Sequence, residues 1–177
     1  MKKMLYVGLV LALVVACFAV IGCSEKKEGT GVSTATGTAK DGNEVAIEKA
    51  AIDLVTNTAA GGYQLVNTET LKQWVDAAEP MTVIDTMPAD SFAKGHIPGS
   101  VNAELPKEGE ATQEQLDAFA ALLPADKAAK VVVYCGFTQC PRSNIGASYA
   151  VAQGWTNVYR YPGGIVAWTD AGYPTEQ

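Results

Sequence analysis

The run Val131-Val132-Val133-Tyr134 constrains this chain more than any other segment. It is β-branched and aromatic, with no polar position on either of the two faces that a strand presents. A strand of that kind has both faces covered, as in the middle of a parallel sheet flanked by helices. It delivers Cys135 at its C-terminal end, where ligand sites gather in open parallel sheets.

The remaining pattern is consistent with that frame. Tyr63 to Val66 reads as a short strand, and Asn67 or Thr68 caps a helix running to about Ala78 with Leu71, Trp74 and Val75 on one face. Met81 to Asp85 is a buried strand ending in a carboxylate. Pro88 opens a short helix that Gly95 closes, and the turn His96 to Gly99 leads into a strand at Ser100 to Ala103. Thr112 with Gln115 three positions on is a capping-box pattern, opening a helix that stops near Pro124. A helix from about Ser143 to Gln153, a strand at Val158-Tyr159 and a last helix after Gly163-Gly164 complete the series. Strands alternating with helices predict an α/β three-layer sandwich, a central mainly parallel sheet flanked by helices.

The N-terminus reads as an address. Lys2-Lys3 precede an unbroken apolar stretch from Met4 to Gly22, long enough to span a bilayer. One reading is an uncleaved anchor or a simple secretory signal. The sharper one rests on Val20-Ile21-Gly22-Cys23, which looks like a bacterial lipobox, with residues 1–22 as signal peptide and Cys23 as the lipidated residue. The expectation is an exported domain, lipid-anchored to the cell envelope on its periplasmic face. Residues 23–43 are poor in apolar bulk and read as a flexible tether, 44–61 as a lead-in helix, and 62–177 as the folded domain.

The 177-residue chain has a formal net charge of -6, and residues 1–22 contain Lys2 and Lys3 but no acid, so the part beyond them is more acidic still. That balance, with no long basic run, argues against nucleic acid as a partner. Of the four cysteines, Cys17 and Cys23 lie in the N-terminal segment, while Cys135 and Cys140 stand close together late in the chain. Such a distribution is no disulfide framework. With His96 the sole histidine, a four-ligand zinc site is poorly supplied, and no metal or organic cofactor is expected.

The loop after the central strand carries the chemistry. Gly136, Phe137, Thr138, Gln139 and Cys140 wrap around the strand end, and Arg142 and Ser143 open the next helix. Backbone N–H groups turned inward, the positive end of that helix and the Arg142 guanidinium all favour an anion. They predict a depressed pKa and a thiolate at Cys135. The plainer alternative is a buried structural cysteine at a strand end. Cys140 is either a resolving or disulfide-forming partner, or a small apolar filler beside Pro141. Asp85 and His96 are expected to hold loops and turns by hydrogen bonds, while Trp155, Trp168 and Tyr159 to Tyr161 serve packing. Tyr161 and Phe137 are candidates for the mouth of the site.

Several segments resemble the rhodanese family in order along the chain. Val83-Ile84-Asp85, Phe92 and Gly95-His96-Ile97-Pro98-Gly99-Ser100 with Val101-Asn102 look like its first signature. Val131 to Cys135 with Arg142-Ser143 is similar to its active-site strand, loop and helix. Gly163 to Trp168 and Ala171-Gly172-Tyr173-Pro174 resemble its C-terminal signature. The resemblance implies a rhodanese-like fold, Cys135 as the persulfide-forming residue and loop amides around it. It departs from the family in two places: Arg142 lies seven positions after Cys135 where five is usual, and Asp85 is followed by Thr86 rather than arginine.

Three functions are therefore in play. A sulfurtransferase would take sulfur from a small sulfane-sulfur donor onto Cys135 and pass it to a thiophilic acceptor. A thiol–disulfide protein would use Cys135 and Cys140. A non-catalytic binding module would offer the loop to a protein partner that the sequence does not identify. A phosphatase-like reading wants arginine six positions after the cysteine, where this chain has Pro141.

Overall fold

The computed structural model describes residues 43–177. The expected signal segment, Cys17, Cys23 and nearly all of the expected tether lie outside the described residues. Five strands form one sheet in the spatial order β1-β5-β4-β2-β3: β1 Gln64–Leu65, β2 Thr82–Asp85, β3 Val101–Asn102, β4 Val131–Tyr134 and β5 Val158–Tyr161. All four pairings are parallel, so the expected mainly parallel sheet is here parallel throughout.

The helices are α1 Glu44–Gly61, α2 Thr68–Asp76, α3 Ala89–Phe92, α4 Gln113–Ala120, α5 Arg142–Ala152 and α6 Gly164–Asp170. Strand β4 is fully buried, and its side chains alternate between two cores as the period of a strand requires. Val131 and Val133 join Ile84, Phe119 of α4 and Ala147 and Ala150 of α5 on one side. Val132 and Tyr134 join Val83, Leu71 of α2 and Trp168 of α6 on the other. Two apolar layers of helices therefore seal both faces, which is why the strand tolerates no polar residue.

Local signals act as their chemistry predicts. Asn67 caps α2 by accepting from the Thr70 N–H at 2.8 Å, and Thr112 and Gln115 complete a reciprocal capping box on α4. Gly62 ends α1 in the left-handed conformation, its N–H donating to the Thr58 carbonyl. Element ends differ from the sequence reading where tertiary contacts decide: β5 runs on to Tyr161 because it pairs with β4 over its whole length, while the first strand shrinks to Gln64–Leu65. Among the described residues no helix is long and apolar enough to cross a membrane.

The sheet's C-terminal edge is fixed by α6. Ile165 N–H donates to the Cys135 carbonyl at 2.9 Å and Val166 N–H to the Gly136 carbonyl at 3.0 Å. This close approach requires glycine at 164, which has φ of +62° and where a Cβ would lie 2.4 Å from the Cys135 carbonyl oxygen. Gly164→Ala combines left-handed strain of about 1–2 kcal/mol with that clash. It should lower stability by at least about 2 kcal/mol in urea unfolding, with an unchanged denaturant slope.

Candidate active site

Cys135 leaves the end of β4 and lies 1% exposed beneath its own loop. The loop is closed by a turn in which Cys140 N–H donates to the Phe137 carbonyl at 2.9 Å. That turn folds Cys140, itself 2% exposed, back against Cys135, whose Sγ lies 3.4 Å from the Cys140 carbonyl oxygen, so that the two thiols share a proton. The residues that lengthen the spacing between Cys135 and Arg142 therefore build a turn that brings a second sulfur to the first.

The surroundings of the two sulfurs differ in sign. Cys135 Sγ faces the carbonyl oxygens of Cys140 at 3.4 Å and Phe137 at 3.9 Å, with Ser143 Oγ at 3.2 Å as the counterweight. Cys140 Sγ receives the N–H groups of Gly136 and Arg142, and the Arg142 guanidinium lies 3.7 Å away. Carbonyl dipoles favour a thiol; amides and a cation favour a thiolate. Sharing of the proton with Cys140, and then burial, push Cys135 upward. The hydrogen bond from Cys135 draws Cys140 well below the ordinary thiol range, against its own burial. The pair thus keeps its proton on Cys135 and its negative charge on Cys140. This corrects the expectation of a thiolate at Cys135 in the closed loop. The reason is the turn, which aims the helix-opening amides and Arg142 at position 140.

The other loop residues have distinct tasks. Gly136 is buried beside Met87, whose sulfur would lie 3.4 Å from a Cβ there. Phe137 and Gln139 are exposed at the tip, and Gln139 Nε2 donates to the Ala46 carbonyl of α1 at 3.2 Å. Between the tip and α1 lies an open cleft of about 510 Å³ lined by Ile47, Ala50, Leu54 and Phe137. Arg142 divides its donors between Cys140 and the Leu105 carbonyl, 2.8 Å from Nε. Phe137 fits a place at the mouth of the site, but Tyr161 does not: it is buried and bonded through its hydroxyl to Thr68.

Sequence reasoning passed over Arg160. It lies 2% exposed on β5, with Nε 3.0 Å from Ser143 Oγ, and its terminal nitrogens donate to Tyr63 Oη and to the carbonyls of Thr138 and Cys140. Ser143 thus links the guanidinium to Cys135. The signal was available as one charged residue in Val158-Tyr159-Arg160-Tyr161, an otherwise apolar and aromatic strand.

Asp85 and His96 take the structural parts expected of them. Asp85 Oδ1 accepts from the Met87 N–H at 2.8 Å, and His96 Nδ1 sits 3.0 Å from the Phe92 carbonyl with its ring stacked on Phe92. Burial pushes the Asp85 carboxyl above its ordinary range, against the Met87 N–H and the Tyr134 hydroxyl.

Fold and site define an α/β protein with paired buried thiols in a loop at the C-terminal edge of a parallel sheet. The chain belongs to the rhodanese-like domain family, whose model matches residues 67–171. It is 31% identical over 94 residues to thiosulfate sulfurtransferase GlpE of Shewanella oneidensis, a match covering 53% of this chain and 81% of that protein. Against the protein of the same name from Pseudomonas savastanoi pv. phaseolicola it is 33% identical over 94 residues, covering 53% and 76%. The fold resembles a thiosulfate sulfurtransferase from Pseudomonas aeruginosa, with a TM-score of 0.55 and 23% identity over 72% of this chain and 22% of that one. A rhodanese-like domain from Anabaena superimposes with a TM-score of 0.50 at 23% identity, covering 63% of this chain and 77% of that one.

A carboxyl raised in the folded state holds its proton more tightly folded than unfolded, so its contribution to stability falls as pH rises through that window. Asp85→Asn removes the titration and keeps an acceptor for Met87. The melting temperature of the variant relative to the wild type should therefore climb as pH rises from about 4 toward neutrality. Parallel thermal melts across that range provide the check.

Proposed function

We propose that the protein is a sulfurtransferase in which Cys135 takes up sulfane sulfur as a persulfide and passes it to a nucleophilic acceptor. The observation that carries this reading is Cys135 at the end of the central strand, hydrogen-bonded to Ser143, which in turn accepts from the buried Arg160. The family membership and the thiosulfate sulfurtransferases among its relatives support it.

The closed loop is the resting arrangement, because a donor has no path to a residue 1% exposed. Lifting the turn at residues 137–140 takes the Phe137 and Cys140 carbonyls away from Cys135 and leaves it with the Ser143 hydroxyl and N–H. That change removes the dipoles that favour the thiol and retains those that favour the thiolate. Once Cys135 has released its proton, its thiolate attacks the outer sulfur of a donor such as thiosulfate. A new S–S bond forms, the donor's S–S bond breaks, and sulfite leaves with the electron pair. A thiophilic acceptor such as cyanide then takes the outer sulfur and frees the Cys135 thiolate. The apolar cleft beside Phe137 offers space for an acceptor larger than cyanide.

The proposal retains an exported domain attached to the envelope through a lipid on Cys23, on the strength of Val20-Ile21-Gly22-Cys23. The thiol–disulfide reading is favoured by one observation, two free buried cysteines folded together with Cys135 Sγ 3.4 Å from the Cys140 carbonyl oxygen.

Reduced protein incubated with thiosulfate and cyanide should produce thiocyanate, and Cys135→Ser should abolish it; unchanged turnover in the variant would exclude Cys135 as the carrier. Ser143→Ala deletes the link between Arg160 and Cys135 without adding bulk. It should slow sulfur transfer about tenfold, equivalent to roughly 1.4 kcal/mol of transition-state stabilisation, at unchanged folded content by circular dichroism.

A further inference from the structure

We propose that Cys140 resolves the persulfide on Cys135, so that the loop reduces sulfane sulfur to sulfide and is left as a Cys135–Cys140 disulfide. The inference rests on the sulfurtransferase reading and extends it to a second activity of the same loop. Three observations support it. The turn closed by the Cys140 N–H to Phe137 carbonyl bond folds Cys140 back onto Cys135, whose Sγ lies 3.4 Å from the Cys140 carbonyl oxygen. The Arg142 guanidinium lies 3.7 Å from Cys140 Sγ and is anchored by its 2.8 Å bond to the Leu105 carbonyl, so a positive charge accompanies the attacking sulfur. The buried Arg160 clasps the Thr138 and Cys140 carbonyls and thereby holds the turn in the closed position.

The open loop loads sulfur and the closed loop resolves it. When the turn recloses over the persulfide, Cys140 sulfur attacks Cys135 Sγ. A bond forms between the two cysteine sulfurs, and the bond from Cys135 Sγ to the outer sulfur breaks. The electron pair departs with the outer sulfur, which takes up a proton from solvent and leaves as hydrosulfide. Persulfide is reduced, and the two thiols are oxidised to a disulfide. The shift of charge to Cys140 fits this role, since thiol–disulfide exchange needs a thiolate as attacker. A dithiol reductant from outside the protein reopens the disulfide for the next cycle, and a disulfide is compatible with an exported location.

The test uses the full chain, reduced, freed of reductant and kept without oxygen, with thiosulfate as the probe. Sulfide is measured colorimetrically, and intact mass and peptide mapping follow the cysteines. The expected result is one sulfide released per chain, a protein lighter by two hydrogens and a linked peptide joining Cys135 to Cys140. Cys140→Ser should release no sulfide and retain one extra sulfur atom on Cys135. A wild-type chain that keeps a stable extra sulfur and releases no sulfide would overturn the resolving role and leave the transferase reading intact. If the wild type neither gains sulfur nor releases sulfide, both readings fall. Sulfide release from Cys140→Ser at the wild-type level would also overturn the role of Cys140, whether or not that variant is fully stable.

Discussion

The guanidinium of Arg160 is the interaction on which the site depends. It lies in the sheet, 2% exposed, and its hydrogen bonds go to two hydroxyls and two loop carbonyls, with no carboxylate partner among the described residues. A buried cation with only neutral partners is costly unless negative charge is close. The thiol pair supplies that charge: it lies on Cys140, whose carbonyl Arg160 grips, while Ser143 links the guanidinium to Cys135. The same side chain joins β5, the first turn of α5, the loop and Tyr63, so sulfur chemistry and local architecture share one anchor.

The length of the loop determines how charge is distributed over the sulfurs. The Gly136 and Arg142 amides form part of a ring of N–H groups at the strand end. The spacing here, with Arg142 seven positions after Cys135, admits a turn and places Cys140 in the ring. Arg142 consequently serves Cys140, while Cys135 is supported from behind by Ser143 and Arg160. Each sulfur has its own arginine, one in contact and one acting through a hydroxyl. Such an arrangement suits two sulfurs that take turns as nucleophile and leaving group better than it suits a single stored thiolate.

The fold's part is to hold this arrangement rigid from below and leave only its tip exposed above. Beneath the loop, α6 binds the Cys135 and Gly136 carbonyls through its first amides, and two apolar layers fix β4. Above it, Phe137 and Gln139 are exposed, and a single side-chain bond from Gln139 ties the tip to α1. Opening the loop therefore breaks the Gln139 bond and Arg160's bonds to the Thr138 and Cys140 carbonyls, whereas moving the base would unpack the core.

By itself, the sequence determined the strands, the helix caps and the position of Cys135 at a strand end, because hydrophobic period, capping and turn chemistry are local properties. The apolar run Val131 to Tyr134 implied a covered parallel strand, and Thr112 with Gln115 implied a capping box; both depend on residues a few positions apart. Which sulfur carries the charge was decided by the tertiary structure. That outcome depends on where the Phe137 and Cys140 carbonyls point, and on Arg160 arriving from a strand that follows the loop by a whole helix. The direction of a dipole and the meeting of distant residues leave no periodic trace in a chain, so neither was legible until β5 was laid beside β4.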